Sequence, residues 1–287
     1  MAQARTRPRV VIIGAGFAGL NAAKALAAAQ VQVTITDKKN HHTFQPLLYQ
    51  VALAVLSPAE IATPVRTVLR RAANTHVLLG EVKGIDAERR LVQLEDASLN
   101  YDYLIVAAGA THAYFGHPEW ARVAPGLKTI EDAIEIRRRV LLAFEMAERE
   151  AIASQVKLDL NFVVIGAGPT GVELAGAIAD ISQRYMERDF RAIDPARARI
   201  LLLEGGPRVL PAYPPDLSAS AEKQLREMGV EVRTNAMVTN VGRDSVTVGN
   251  EKIPATVVLW GAGVSASPLG KMLGAPTDKA GRVLVEP

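Results

Sequence analysis

The 287-residue chain contains no cysteine. Disulfides, iron–sulfur clusters, thiolate zinc sites and redox-active dithiols are therefore excluded. It also lacks a strong charge of either sign: 33 basic residues nearly balance 30 acidic ones, for a net charge of +3. That balance gives no support to nucleic-acid binding, which shows itself as basic residues clustered on one face. No segment approaches the ~20 consecutive apolar residues of a membrane-spanning helix. The opening MAQARTRPR is basic, but the apolar run after it, VVIIGAGFAG, carries glycines where a signal peptide needs an unbroken apolar region. A signal peptide is not expected. No Gly-x-Ser-x-Gly elbow is present, so a serine hydrolase is unsupported. The composition, 49% hydrophobic and 22% charged, is that of a soluble globular protein, and the length allows two domains. The chain as given is expected to be soluble and cytoplasmic.

What the chain does contain is an internal echo. RVVIIGAGFAGLNAAKALA and NFVVIGAGPTGVELAGAIA each run from an apolar, β-branched stretch through Gly-Ala-Gly-x-x-Gly into a small-residue helical stretch. This pattern predicts strands at about 9–13 and 161–165 and helices at about 17–29 and 170–186. VQVTITD reads as a strand ending in Asp37, and RILLLEGG as one ending in Glu204. Residues 76–107 read as short strands in an antiparallel meander that returns to a buried strand at 103–107. Residues 129–152 read as a helix opened by a Thr129–Asp132 capping box, and its Arg137-Arg138-Arg139 run as a solvated face. Residues 180–198 read as a helical extension, residues 230–260 as short strands, and VLV near the end as a further strand.

The spacing of each glycine set has a physical reason. The first glycine makes the turn out of the strand, the second lets backbone approach a pyrophosphate, and the third lets helix pack closely on strand. Gly14, Gly16 and Gly19 occupy these places in the first copy, with Ala15, Phe17 and Ala18 between them. Gly166, Gly168 and Gly171 occupy them in the second, with Pro169 and Thr170 between. One such motif is weak; two copies, each set between strand and helix and each followed by an acid, are strong. The alternative is glycines that serve helix–strand packing alone. Asp37 follows Gly19 at close to the ~20-residue spacing of a ribose-binding carboxylate. Glu204 follows Gly171 at a longer spacing, and a carboxylate there favours NADH by repelling the 2′-phosphate of NADPH, with Arg208 close by as a counterweight. Two dinucleotide sites in one chain point to a flavin and a nicotinamide. Ala262 and Gly263 end an apolar strand where small residues would let a cofactor approach, or form an ordinary turn.

The order GAGFAG, Asp37, NHHTFQPLLYQVA, YDYLIVAAGATHAYFGHPEW, GAGPTGVELAG, LLLEGGPRVLP, WGAGVSASPLG resembles the type II NADH dehydrogenases, single-subunit NADH:quinone oxidoreductases of the two-dinucleotide flavoprotein superfamily. The resemblance covers essentially the whole chain, and the His-His-x-Phe-Gln-Pro-Leu-Leu-Tyr-Gln run is its most specific part. It implies an α/β fold with two Rossmann-like domains, parallel sheets with antiparallel meanders, and an FAD domain incomplete at its C-terminal end. The expected division is 1–118 for the FAD domain, 119–275 for an inserted NADH domain, and 276–287 for the start of a return to the FAD domain. It further implies non-covalent FAD on the first unit, with Gly14, Gly16, Gly19, Asp37 and Lys38 at its ADP half. Val82 would offer backbone to the adenine, Ala108 and Gly109 would lie in the stretch that returns to FAD, and Gln45 and Pro46 would lie near the flavin ring. Ala108 stands where the superfamily often has Thr, so a hydroxyl contact is lost there.

Glu173 would sit where nicotinamide meets flavin, the alternative being an acid in a first helical turn stabilised by the macrodipole. Hydride would pass from NADH to flavin N5 and electrons then to a membrane quinone, without proton pumping. The same resemblance implies a homodimer held peripherally on the cytoplasmic face of a bacterial inner membrane in a longer form, and a chain here that stops short of the family's quinone site and membrane anchor. Two other expectations stand beside it: a cofactor-binding fragment without turnover, and a reductase of the ferredoxin or rubredoxin type. The histidines are read as wall and packing residues, with no metal: His41 and His42 are adjacent and point apart in an extended chain, and His112 and His117 show no carboxylate partner in the sequence.

Overall fold

The computed structural model describes residues 7–156, 158–186 and 188–286. The first six residues of the basic opening stretch lie outside the described residues. The chain forms two compact units. The first holds the residues up to Phe44, Ala59–Thr111 and the residues from Val264 onward; the second holds Gln45–Pro58 and His112–Gly263.

In the first unit β1 (Arg9–Ile13) leads through a glycine turn into α1 (Phe17–Ala25) and back through β2 (Gln32–Asp37). β3 (Thr75–Leu79) follows, then a meander of β4 (Val82–Asp86), β5 (Leu91–Leu94) and β6 (Ser98–Asn100), and then β7 (Tyr103–Val106). The main sheet has the order β3-β2-β1-β7, all parallel. β1 is apolar throughout its buried length because it is covered on both faces, as the central strand of a parallel sheet must be. Ile12, Ala23, Val33 and Ile35 have no solvent exposure. Truncating Ile12 or Ile35 to Ala removes about 2–5 kcal/mol of stability.

The second unit repeats this plan. α2 (Ile130–Ser154) precedes β8 (Asn161–Ile165), the second glycine turn, α3 (Pro169–Asp180) and β9 (Arg199–Leu203). α4 (Pro215–Glu227) and β10 (Val230–Arg233) follow, then a meander of β11 (Val238–Val241), β12 (Ser245–Val248) and β13 (Glu251–Pro254), and β14 (Val257–Trp260). The sheet order, β10-β9-β8-β14, is the first unit's order over again. α3 buries Gly171, Leu174, Ala175, Ile178 and Ala179, a single stripe at helical spacing laid on the sheet.

Several expectations need correction. Residues 75–79 form the parallel outer strand of the first sheet rather than part of the meander. β7 is an edge strand with Tyr103 63% exposed, so the return strand is only half-buried. The helical extension after α3 reaches only Tyr185, well short of residue 198. It makes one π turn over Ile181–Tyr185 and then opens, because the Glu148 carboxylate takes the backbone N–H groups of Arg191, Ala192 and Ile193 at 2.8–3.0 Å. VLV forms no strand; among the described residues the segment makes only an isolated Thr277–Val283 bridge. α1 ends at Ala25, short of residue 29.

The units divide at 111/112 and 263/264, where the sequence places the joins at 118/119 and 275/276. Residues 45–58 belong with the second unit. Their short helix Leu48–Ala52 buries Leu48, Val51 and Ala52 and packs on α2 and α3.

Candidate functional site

Each glycine turn is built by close backbone approach. Gly14 has φ +101, and a Cβ there would stand 2.3 Å from the Ala107 carbonyl oxygen just past β7. Gly166 has φ +92, and its Cβ would stand 2.3 Å from Cα of Ala262 just past β14. A Cβ on Gly19 would meet the Gly14 carbonyl at 1.8 Å, and one on Gly171 the Gly166 carbonyl at 1.8 Å. These four glycines are required by the fold itself, with or without a ligand.

The middle glycines differ in kind. Gly16 has φ −73 and Gly168 φ −71, values open to any residue, and a Cβ on either would meet nothing within 4 Å. Neither backbone strain nor packing calls for glycine at these two positions. Each is also the N-cap of its helix, without a side-chain cap and without an acid in the first turn. The helix N–H groups therefore face open space, the arrangement that receives a phosphate. At α2, by contrast, Thr129 and Asp132 close a complete capping box as expected, so the helix's own side chains satisfy the N–H groups of Thr129 and Asp132.

The two acids hold matching positions. Asp37 Oδ2 accepts the Ala15 amide at 2.7 Å and Oδ1 accepts Lys39 N–H at 2.8 Å. Glu204 Oε2 accepts the Ala167 amide at 2.7 Å and Oε1 accepts Gly206 N–H at 2.7 Å. Each carboxylate thus ties its glycine loop to the end of the second strand through one bond to each of its oxygens. Arg208 Nη2 donates to the Pro211 carbonyl at 2.7 Å, while its Nη1 is buried without a partner among the described residues.

The remaining residues divide between the units. In the first, Val82 opens the meander two residues past Gly80, whose N–H donates to the Asp37 carbonyl at 2.9 Å. Lys38 is exposed beside Glu81. Ala108 adjoins Gly14, and Gly109 follows with φ +68. Phe17 is 43% exposed and meets His42 edge-on at 4.8 Å and Phe44 at 5.6 Å. His42 Nδ1 lies 3.3 Å from the Ala15 carbonyl, a contact that requires the proton on Nδ1. His42 thus braces the first glycine loop, a role the sequence signals only through the specificity of its His-His-x-Phe run.

In the second unit Gln45 and Pro46 are exposed in a 3₁₀ turn, with Gln45 Nε2 3.4 Å from the Lys128 carbonyl. Glu173 lies one turn into α3, so the macrodipole, which fades beyond the first turn, is a weak reason for it. Its carboxyl faces a groove shared with Tyr49, Gly176 and Leu217, and burial pushes its pKa up. Pro169 and Thr170 form the first turn of α3, and Ala262 and Gly263 adjoin Gly166. His112 and His117, expected to lack carboxylates, each have one: Asp132 at 3.2 Å and Glu119 at 3.0 Å. Burial works to raise the Asp132 carboxyl, but hydrogen bonds from His112 and the Lys128 and Thr129 amides outweigh it and leave it lowered. Among the described residues no group of three or more His, Asp or Glu is placed to hold a metal ion, and no helix is long and apolar enough to cross a membrane. A separate recess lined by Arg9, Gln32, Asn74 and Asp102 opens at the opposite, N-terminal ends of the first sheet's strands, away from the glycine turn.

This geometry has close counterparts. The chain is 49% identical over 295 residues to the type II NADH:quinone oxidoreductase NdhA of Mycobacterium tuberculosis, covering 98% of this chain and 63% of that protein. It is 46% identical to Ndh of the same organism, covering 65% of it. The chain therefore spans less than two thirds of the length of these relatives. A solved structure of NDH2 from Plasmodium falciparum in complex with NADH shares the fold at a TM-score of 0.84 and 23% identity, over 94% of this chain and 58% of that one. Residues 8–287 match the pyridine nucleotide-disulphide oxidoreductase family, so a chain without a single cysteine nonetheless belongs to that family.

Proposed function

We propose that the first unit binds FAD and the second binds NADH, and that the chain is the nucleotide-binding part of a type II NADH:quinone oxidoreductase. The observation that carries this reading is the pair Gly16 and Gly168. Both are glycines that the fold does not need, and both sit beside uncapped helix N-termini. A pyrophosphate is the group whose approach to the backbone a glycine at each of these places would serve. The similarity to NdhA, an NADH:quinone oxidoreductase, over nearly the whole chain supports an NADH site.

In this reading Gly14, Ala15, Gly16, Phe17, Ala18 and Gly19 form the first phosphate cradle. Asp37 holds the adenosine ribose of FAD, with Lys38, Val82, Ala108 and Gly109 around it. Gly166, Gly168, Pro169, Thr170 and Gly171 form the second cradle, Glu204 holds the adenosine ribose of NADH, and Ala262 and Gly263 admit its other half. Bound FAD would supply the two-electron carrier that a hydride donor and a quinone require in common. The overall exchange, NADH plus a proton plus quinone giving NAD⁺ and quinol, takes up one proton. Glu173, an exposed residue whose carboxyl is partly desolvated and its pKa thereby raised, is assigned to hold it. Gln45 and Pro46 are assigned to the flavin's surroundings. The acceptor would be a membrane quinone, met by a dimer lying peripherally on the cytoplasmic face of the membrane.

The test is to purify the chain, reconstitute it with FAD and record its visible absorbance before and after NADH. A flavin spectrum bleached by NADH, and more slowly by NADPH, is expected. A protein that retains no flavin contradicts the reading of the first unit. Equal rates with NADH and NADPH contradict the role given to Glu204.

A further inference from the structure

A strained aromatic residue stands at the rim of the second crevice. Phe115 has φ +48 and Gly116 φ +93, and His117 N–H donates to the Tyr114 carbonyl at 2.9 Å across them. Two successive positive φ values inside such a turn are the type I′ pattern, in which Asn-Gly is favoured. A bulky aromatic at the first of these positions carries a conformational cost. Burial does not offset it, because Phe115 is 70% exposed. Its ring makes a tilted contact with Trp260 at a centroid distance of 6.2 Å.

The ring is nonetheless firmly mounted. Ala113 N–H donates to the Gly263 carbonyl at 3.1 Å, and Trp260 Nε1 donates to the Ala113 carbonyl at 3.0 Å. Tyr114 stacks on Trp260 at 4.9 Å, and its hydroxyl donates to the Ala124 carbonyl at 2.9 Å. A Cβ on Gly263 would stand 2.7 Å from Phe115 Cζ, so the glycine leaves the place the ring takes. A strained turn, a rigid base and an outward-facing ring are the marks of a residue kept for what it touches rather than for what it packs into.

Its position indicates the ligand. In a parallel sheet a nucleotide lies across the carboxyl ends of the strands, at the point where the strand order reverses. Here that point lies between β8 and β14. Glu204, just past β9, fixes the adenosine end on one side, and Gly168 receives the pyrophosphate in the middle. The other half of the dinucleotide must then extend toward β14, where Ala262, Gly263 and Phe115 stand. We infer that Phe115 is a positioning residue whose ring stacks on the nicotinamide of the bound dinucleotide. The inference rests on the reading of the second unit as an NADH site and deepens it.

Calorimetric titration of the whole chain with NADH and, separately, with ADP-ribose, which lacks the nicotinamide, tests this directly. The variant Phe115→Asn places a residue suited to positive φ in the turn and removes the ring. Phe115→Gly serves the same purpose should the first fail to fold, and Phe115→Tyr keeps a ring. The expected result is an affinity loss of about tenfold for NADH, the worth of one aromatic stacking contact, with less than twofold change for ADP-ribose and near-normal binding in Phe115→Tyr. Equal losses for both ligands would assign Phe115 a purely structural role, and no loss for NADH would leave the ring without a function; either result overturns the inference. A wild-type chain that binds neither ligand overturns the NADH reading of the unit, and this inference with it.

Discussion

In the first unit Gly14 turns against Ala107 and Asp37 holds the amide of Ala15; in the second Gly166 turns against Ala262 and Glu204 holds the amide of Ala167. The acids differ in length by one methylene, and the difference is instructive. Asp37 is the last residue of its strand, whereas Glu204 stands one residue past the end of its own. The longer side chain restores the reach, and both carboxylates accept the loop amide at 2.7 Å. What the two units share is the hydrogen bond and the glycine turn beside it, not the identity of the residue. Around this frame they diverge: the first loop is braced by His42 and shielded by Phe17 and Phe44, and the second is overlooked by Phe115 on its strained turn.

The comparison separates glycines that the fold requires from glycines that it does not, and substitutions can break it. The largest effect is expected at the required positions. Gly19→Ala and Gly171→Ala each drive a methyl group into a backbone carbonyl, so denaturant unfolding should show losses of about 3 kcal/mol or more. Gly16→Ala and Gly168→Ala should leave folding stability within about 0.5 kcal/mol of wild type. Equal losses at all four positions would erase the distinction.

Next in size is the capped helix end, which contrasts with the two open ones. Thr129→Ala removes the hydroxyl that accepts Asp132 N–H at 3.1 Å and should cost about 1 kcal/mol, measured by thermal or chemical unfolding.

Smaller effects follow from the carboxyl groups. Arg138 and then Arg139 hold Glu135 down to about 2, well below its usual value of 4.5. A lowered carboxyl contributes stability that is present above its unfolded value and lost as pH falls through the folded one. Glu135→Gln should therefore cost up to about 1 kcal/mol at pH 6, the scale of an exposed ion pair, and the difference should vanish by about pH 2. Glu173 behaves in the opposite sense. Burial raises its carboxyl, so the native state holds its proton more tightly than the unfolded chain does. Its contribution is full below the unfolded value and is lost as pH rises through the raised one. Glu173→Gln should flatten that decline and leave the variant slightly more stable than wild type at neutral pH. Unfolding midpoints collected from about pH 2 to 8 check the sign and the window for both carboxyls.

Much of this architecture was legible in the residues. The continuous apolar runs VVII and NFVVI can only be doubly covered strands, and the glycine turns and following acids fix where each unit begins again. The Thr129–Asp132 box marked its helix because capping is local chemistry. What escaped prediction depends on partners distant in sequence. Residues 75–79 carry the same alternation whether they join a meander or a parallel edge, and only pairing with β2 decides. The segment after α3 looked helical until Glu148, some forty positions earlier, claimed the amides of residues 191–193. The carboxylates of Asp132 and Glu119 were in plain view, but the fold alone shows that they meet His112 and His117. The sequence names all six motif glycines alike, and only the geometry shows that among these six Gly16 and Gly168 are unexplained by packing or by φ. The turn at Phe115 and Gly116, with φ +48 and +93, is not foreseen in the sequence, although a Phe-Gly pair between Tyr114 and His117 is a local signal of one.

The central claim is that the two cradles are separate sites with different occupants. The most direct measurement is the flavin spectrum, and its bleaching by NADH, of Gly16→Ala and Gly168→Ala compared side by side after reconstitution with FAD. The account predicts that Gly16→Ala loses flavin, and that Gly168→Ala keeps a wild-type flavin spectrum but requires much more NADH to bleach it. Flavin lost from Gly168→Ala and kept by Gly16→Ala, or two variants indistinguishable from wild type, would contradict it.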